Sequence, residues 1–165
     1  MIDEFENWKA ELLFTGNIVQ DGDESVSDGE RQQRFMRYMD MLEAIDGREG
    51  IEVARAIVQS IQVEDDYGAY QSTEHALGRF PSEIYLQAVV DELPDLIDRQ
   101  KSWAGELLCG LANSGGTEWE SDIEQFNRLL KLAPTNHRER ITRFIASEES
   151  AGWLKHRVNV LGKDE

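Results

Sequence analysis

The 165 residues carry 17 Lys and Arg against 33 Asp and Glu, a formal charge of −16 at pH 7. Such an acidic chain does not gain by releasing counterions from a phosphate backbone, which excludes a general nucleic-acid binder and disfavours adhesion to anionic lipid. Basic proteins are the favoured partners, and their capture would be fast and salt-dependent.

Helical periodicity recurs along almost the whole chain, and period-2 alternation is scarce. Residues 2–13 place Ile2, Phe5, Trp8, Leu12 and Leu13 on one face. Residues 15–29 hold three glycines and four acids, and read as an acidic loop. Ser27 and Glu30 then have capping-box spacing. A helix through Phe35, Tyr38, Met39, Leu42 and Ile45 follows, stopped by Gly47. After Gly50 a stripe runs through Ile51, Ala54, Ile57, Val58 and Ile61. Residues 66–79 are ambiguous, although Tyr70, Thr73 and Leu77 fit one helical face. Pro81 suits the first position of a helix carrying Ile84, Leu86, Val89, Val90 and Leu93, which Pro94 is expected to interrupt.

Ser102 is placed to cap a helix bearing Trp103, Ala104, Leu107, Leu108 and Leu111, ending at Asn113-Ser114-Gly115-Gly116. Thr117 and Glu120 repeat the capping-box spacing ahead of Ile123, Phe126 and Leu130, with Trp119 read as core. Pro134 marks a break before Ile141, Phe144 and Ile145. A last helix is expected through Leu154, Val158 and Leu161. Seven to nine short helices with brief connections stack most naturally as antiparallel pairs. The expected fold is therefore all-α, an irregular HEAT-like α-solenoid or a compact helical bundle, in a single domain over residues 1–165.

An apolar fraction of 40% with 4 Trp, 4 Tyr and 6 Phe supplies a core. A chain of this size needs no disulfide or metal staple. Cys109 has no partner for an intrachain disulfide, and lies among leucines as a small buried hydrophobe. Met1–Glu6 lacks the basic and apolar regions of a secretory leader, and no apolar run approaches the roughly 20 residues of a membrane span. A cytoplasmic location is the expectation.

No nucleophile elbow, phosphate loop, dinucleotide fingerprint or H-E-x-x-H pair occurs, so no catalytic residue, cofactor or metal site is assigned. Glu64, Asp65, Asp66, Glu74 and His75 are the nearest approach to a cation site, without the spacing of a coordination loop. The segment Asp65, Asp66, Tyr67 and Tyr70 suits protein contact instead. Tyrosine offers broad area with a hydrogen-bonding tip, and the acids attract a basic counterpart. Charge is uneven: residues 1–82 hold 7 basic and 18 acidic side chains, while Arg138, Arg140, Arg143, Lys155 and Arg157 form a basic zone near the C-terminus.

The order Tyr67…Tyr70-Gln71-Ser72-Thr73, Ala76-Leu77-Gly78-Arg79-Phe80-Pro81, Leu93-Pro94-Asp95-Leu96 and Trp103-Ala104…Leu107-Leu108…Leu111…Asn113-Ser114 resembles the all-helical, HEAT-like immunity proteins of bacterial polymorphic toxin systems. These motifs are turn and packing signals. The resemblance implies a non-enzymatic protein that neutralises a cognate toxin, such as a basic nuclease domain, by covering its active surface. A helical-repeat adaptor for an endogenous protein or peptide is the alternative, and a metal enzyme built on Glu64–His75 the third.

Overall fold

Helix starts and stops follow local chemistry. In the computed structural model, which describes residues 4–152, 154 and 159–163, all regular structure is helical, and the all-α expectation stands. Its eight helices are α1 (Phe5–Gly16), α2 (Asp28–Glu43), α3 (Ile51–Gln59), α4 (Ala69–Leu77), α5 (Ser82–Arg99), α6 (Lys101–Ala112), α7 (Glu120–Leu132) and α8 (Thr135–Ala151). The helix expected through Leu154, Val158 and Leu161 lies partly outside the described residues, and residues 159–163 are turn and bend. The chain's contacts gather into two units, Met1–Tyr85 and Leu86–Glu165, with the boundary inside α5.

In the first unit, α2 packs on α1 and α4, and α3 packs on the same two helices, so the four close on themselves. Ser27 caps α2 as its spacing predicts, its Oγ accepting from the Glu30 amide at 3.3 Å. Glu30 does not complete the box, because its carboxylate pairs with Arg34 one turn on. Arg79 closes the other end, donating through Nη1 to the Glu43 carbonyl at 2.8 Å and the Ile45 carbonyl at 2.5 Å. Gly47 sits close by at φ +88, where a Cβ would stand 2.0 Å from the Arg79 carbonyl oxygen. The turn therefore admits only glycine.

The ambiguous stretch 66–79 resolves as α4. Gly68, at φ 86, breaks the chain out of the preceding loop. Tyr70, Thr73 and Leu77 all face inward, as their spacing predicts. Tyr38 and Tyr70 meet edge to face, with ring centroids 6.3 Å apart. The Tyr38 hydroxyl bonds Ser60 Oγ at 2.7 Å and Thr73 Oγ1 at 2.8 Å. Two tyrosines can be fully buried here because each hydroxyl has polar partners. Leu12, Leu42 and Ile57 complete this core, each contributing about 1.5–3 kcal/mol by burial.

In the second unit, α5 does not break at Pro94 but runs through it. Proline's fixed φ is helical, and its cost of about 3 kcal/mol is the kind that burial of flanking residues overrides. Leu93, Pro94 and Leu96 are all buried. α8 reaches α5 through Arg140, whose Nη2 donates to the Pro94 carbonyl at 2.7 Å and to Asp98 Oδ2 at 2.6 Å. Ile141, Phe144 and Ile145 are buried at the predicted spacing. Ser102 lies inside α6 rather than capping it, and Gln100 holds the cap position. Thr117 misses the capping box as well. Its Oγ1 accepts from the Trp119 amide, and Trp119 itself stands at the start of α7, 57% exposed rather than in the core.

Candidate protein-docking site

The four residues singled out for partner contact separate into different roles. Tyr70 is 0% exposed, which removes it from any contact surface. Its hydroxyl accepts from the amides of Gln62 and Val63 at 2.8 and 3.0 Å, and donates to the Gly16 carbonyl at 2.9 Å. The period-3.6 pattern with Thr73 and Leu77, not the neighbouring acids, decides its position. Asp66 is half-buried and supports α4, its Oδ2 accepting from the Tyr70 amide at 2.7 Å. Asp65 and Tyr67 remain at the surface.

Tyr67 is 51% exposed and adopts φ 51, a left-handed conformation uncommon for a tyrosine. That backbone turn swings its ring toward the loop between α1 and α2, where its hydroxyl accepts from the Asp21 amide at 3.0 Å. Beside it, Gln20 Nε2 donates to the Asp65 carbonyl at 2.9 Å. The acidic loop, which spans residues 17–27 between the two helices, is thus joined to the Asp65–Tyr67 segment.

Around this junction lies a recess of about 240 Å3, with Ile18, Val19, Phe35 and Tyr67 supplying apolar wall and Asp21, Asp28 and Arg31 the polar edge. A shallower hollow of about 590 Å3 adjoins it through Thr15 and Arg34, with Phe14 and Met36 on its surface. Phe14 is 54% and Met36 51% exposed. The Arg34 guanidinium lies over the Phe14 ring, 4.3 Å from its centroid. Neither Phe14 nor Met36 belongs to the apolar stripe of its helix, and that mismatch is the sequence signal that could have found them.

The arginines of this face are largely neutralised. Arg31 pairs with Asp21 at 2.7 Å, Arg34 with Glu30, and Arg37 grips both oxygens of Glu11 at 2.8 and 2.9 Å. The Arg37 bonds hold the Glu11 carboxyl below its ordinary range. Asp23 is also lowered, by the hydroxyl and amide of Ser25. Asp23, Glu24 and Asp65 have no ion pair among the described residues, although Arg31 and Arg34 draw on Asp23 electrostatically, so the loop segments beside the recess keep exposed negative charge.

Among the described residues no three His, Cys, Asp or Glu side chains come together as a metal site, and His75 lines a separate hollow with Met39, Ser72 and Arg79. Cys109 is half-buried rather than buried, and Asn113 Nδ2 approaches its sulfur at 3.6 Å. The C-terminal basic zone is partly consumed internally, Arg138 donating to the Lys131 carbonyl and Arg140 to α5. Lys155 and Arg157 lie outside the described residues.

Comparison with known proteins gives no matching family model, no matching curated protein and no matching solved structure. No helix among the described residues is long and apolar enough to cross a membrane.

Proposed function

We propose that this chain is a non-enzymatic binding protein that neutralises a basic toxin domain by docking it on the α1–α2 face. The observation that carries this reading is the set of exposed Phe14, Met36 and Tyr67 beside an acidic rim of unpaired Asp23, Glu24 and Asp65. Exposed large apolar groups ringed by charge are the ordinary anatomy of a protein contact. The apolar groups would supply the anchor, and the rim would steer a cationic partner into place. A partner surface built to grip phosphate, such as that of a nuclease, has the required charge. The resemblance to helical immunity proteins points the same way, and the partner would then be active inside the cell that makes this chain.

The test is titration with the toxin domain encoded beside this gene. Binding at or below about 1 μM is expected, corresponding to roughly −8 kcal/mol. Paired Phe14→Ala and Met36→Ala changes should speed dissociation at least about tenfold, since buried anchors govern lifetime. Asp23→Lys with Asp65→Lys should slow association instead. Tight binding with unchanged kinetics in both variants would move the contact to another face; no binding at all would remove the toxin reading in favour of an endogenous partner.

A further inference from the structure

A second feature, independent of the docking face, lies in the other unit. A pocket of about 350 Å3 is lined by Glu124, Asn127, Arg128, Lys131 and Lys163. The first four recur at i, i+3, i+4 and i+7 on one face of α7. Lys163 is brought there by Asn127, whose Nδ2 donates to the Val160 carbonyl at 3.0 Å while its Oδ1 accepts from the Gly162 amide at 2.8 Å. Leu161, between those two contacts, is buried and holds the segment down. Among the described residues, three cations and one carboxylate thus share one concavity of a protein whose net charge is −16.

These cations differ from Arg138 and Arg140 in making no side-chain hydrogen bond to the protein among the described residues. Arg140 and Arg138 are spent on carbonyls and on Asp98. Among the described residues Arg128, Lys131 and Lys163 reach no carboxylate, although Glu124 stands one turn before Arg128, where an i,i+4 pair is available. Lys131 also complements the C-terminal dipole of α7, but that role concerns one charge of three.

We propose that this pocket binds a compact phosphorylated small molecule through its phosphoryl oxygens. The guanidinium fork of Arg128 matches two oxygens of one phosphoryl group, and the two ammonium groups act as point charges on the rest. Among the described residues the lining is polar and charged, so recognition falls on the anionic end of the ligand. The volume is at the small end of the roughly 300–1,000 Å3 of ligand sites. Size selection is electrostatic as well: a long polyanion would extend past three cations into the field of the remaining acids, whereas a compact one stays within the pocket.

Isothermal titration of the whole chain with sodium pyrophosphate, with a short oligothymidylate as comparator, tests the site. A single saturable event is expected with pyrophosphate and none with the oligonucleotide. Arg128→Gln and Lys131→Gln should each weaken binding about tenfold, the scale of one charge-assisted hydrogen bond. Asn127→Ala keeps every charge but releases Lys163, and should also weaken it. Arg143→Gln, an exposed position on α8, should leave affinity unchanged, with circular dichroism confirming the helix content of each variant. Absence of saturation at millimolar pyrophosphate, equal weakening by Arg143→Gln, or equal affinity for the oligonucleotide would overturn the proposal.

Discussion

Tyr67 and Tyr70 stand three residues apart and do opposite things. Tyr70 spends its hydroxyl on two amides and a carbonyl in the interior, so Tyr70→Phe leaves three backbone groups without that partner. A loss of about 2–3 kcal/mol is expected, since each stranded buried group costs about 1–3 kcal/mol and water can re-solvate part of them. Tyr67→Phe removes one bond at an exposed position and should change stability by less than about 0.5 kcal/mol. Urea denaturation of the two variants separates these outcomes, and equal losses would contradict the assignment. Tyr38 adds a pH dependence. Burial pushes its phenol well above the ordinary tyrosine value, against the lesser pull of Ser60 and Thr73. A raised folded pKa means stability is intact below the unfolded value of about 10 and declines as pH rises beyond it. Alkaline unfolding above that point should be shallower in Tyr38→Phe, as followed by near-ultraviolet absorbance.

At the scale of elements, Arg79 joins the end of α4 to the end of α2 through three carbonyls. Arg79→Ala should cost about 1–2 kcal/mol by uncapping α2, and thermal melts with Arg79→Lys as comparison should show only partial recovery, because the shorter lysine chain carries its ammonium one bond short of where Nη1 sits. Most helices were legible from apolar spacing alone: Ala54, Ile57 and Val58 define α3, and Ile123, Phe126 and Leu130 define α7. Pro94 misleads because local propensity is a weak term beside tertiary burial. Thr117 misleads because a hydroxyl can close a turn two residues ahead of a helix as readily as cap it. The proposed docking face was only half legible. Asp65 and Tyr67 announce themselves by type, but Ile18 and Val19 sit in what reads as an acidic loop, and only the fold brings them to Phe35. Likewise Lys163 joins Arg128 through Asn127, a pairing no local pattern contains.

For the whole molecule the dominant property is charge. At −16, exposed carboxylates repel one another across the surface, and only some meet an arginine. Raising sodium chloride from low to physiological strength should raise the melting temperature by a few degrees, since the Debye length shrinks to about 8 Å and repulsion is screened. The same change should lower the association rate with a cationic partner at least about tenfold while leaving dissociation nearly constant. Scanning calorimetry and stopped-flow mixing measure the two effects. A melting temperature that falls with salt would mean that attraction between the paired side chains outweighs the repulsion.

The loop between α1 and α2 is fastened over its first part: Tyr70 holds the Gly16 carbonyl, the Asp65 carbonyl holds Gln20, and Tyr67 holds the Asp21 amide, while Ser27 caps the helix that follows. An untethered acidic loop would otherwise sample many conformations, and a partner would have to freeze it on arrival. Here folding has done much of the freezing beforehand, so under the proposed docking the loop would meet a partner already shaped and association would carry little ordering entropy. Loosening any of these fasteners would therefore weaken recognition at a distance, through a floppier loop, with every contact residue still in place.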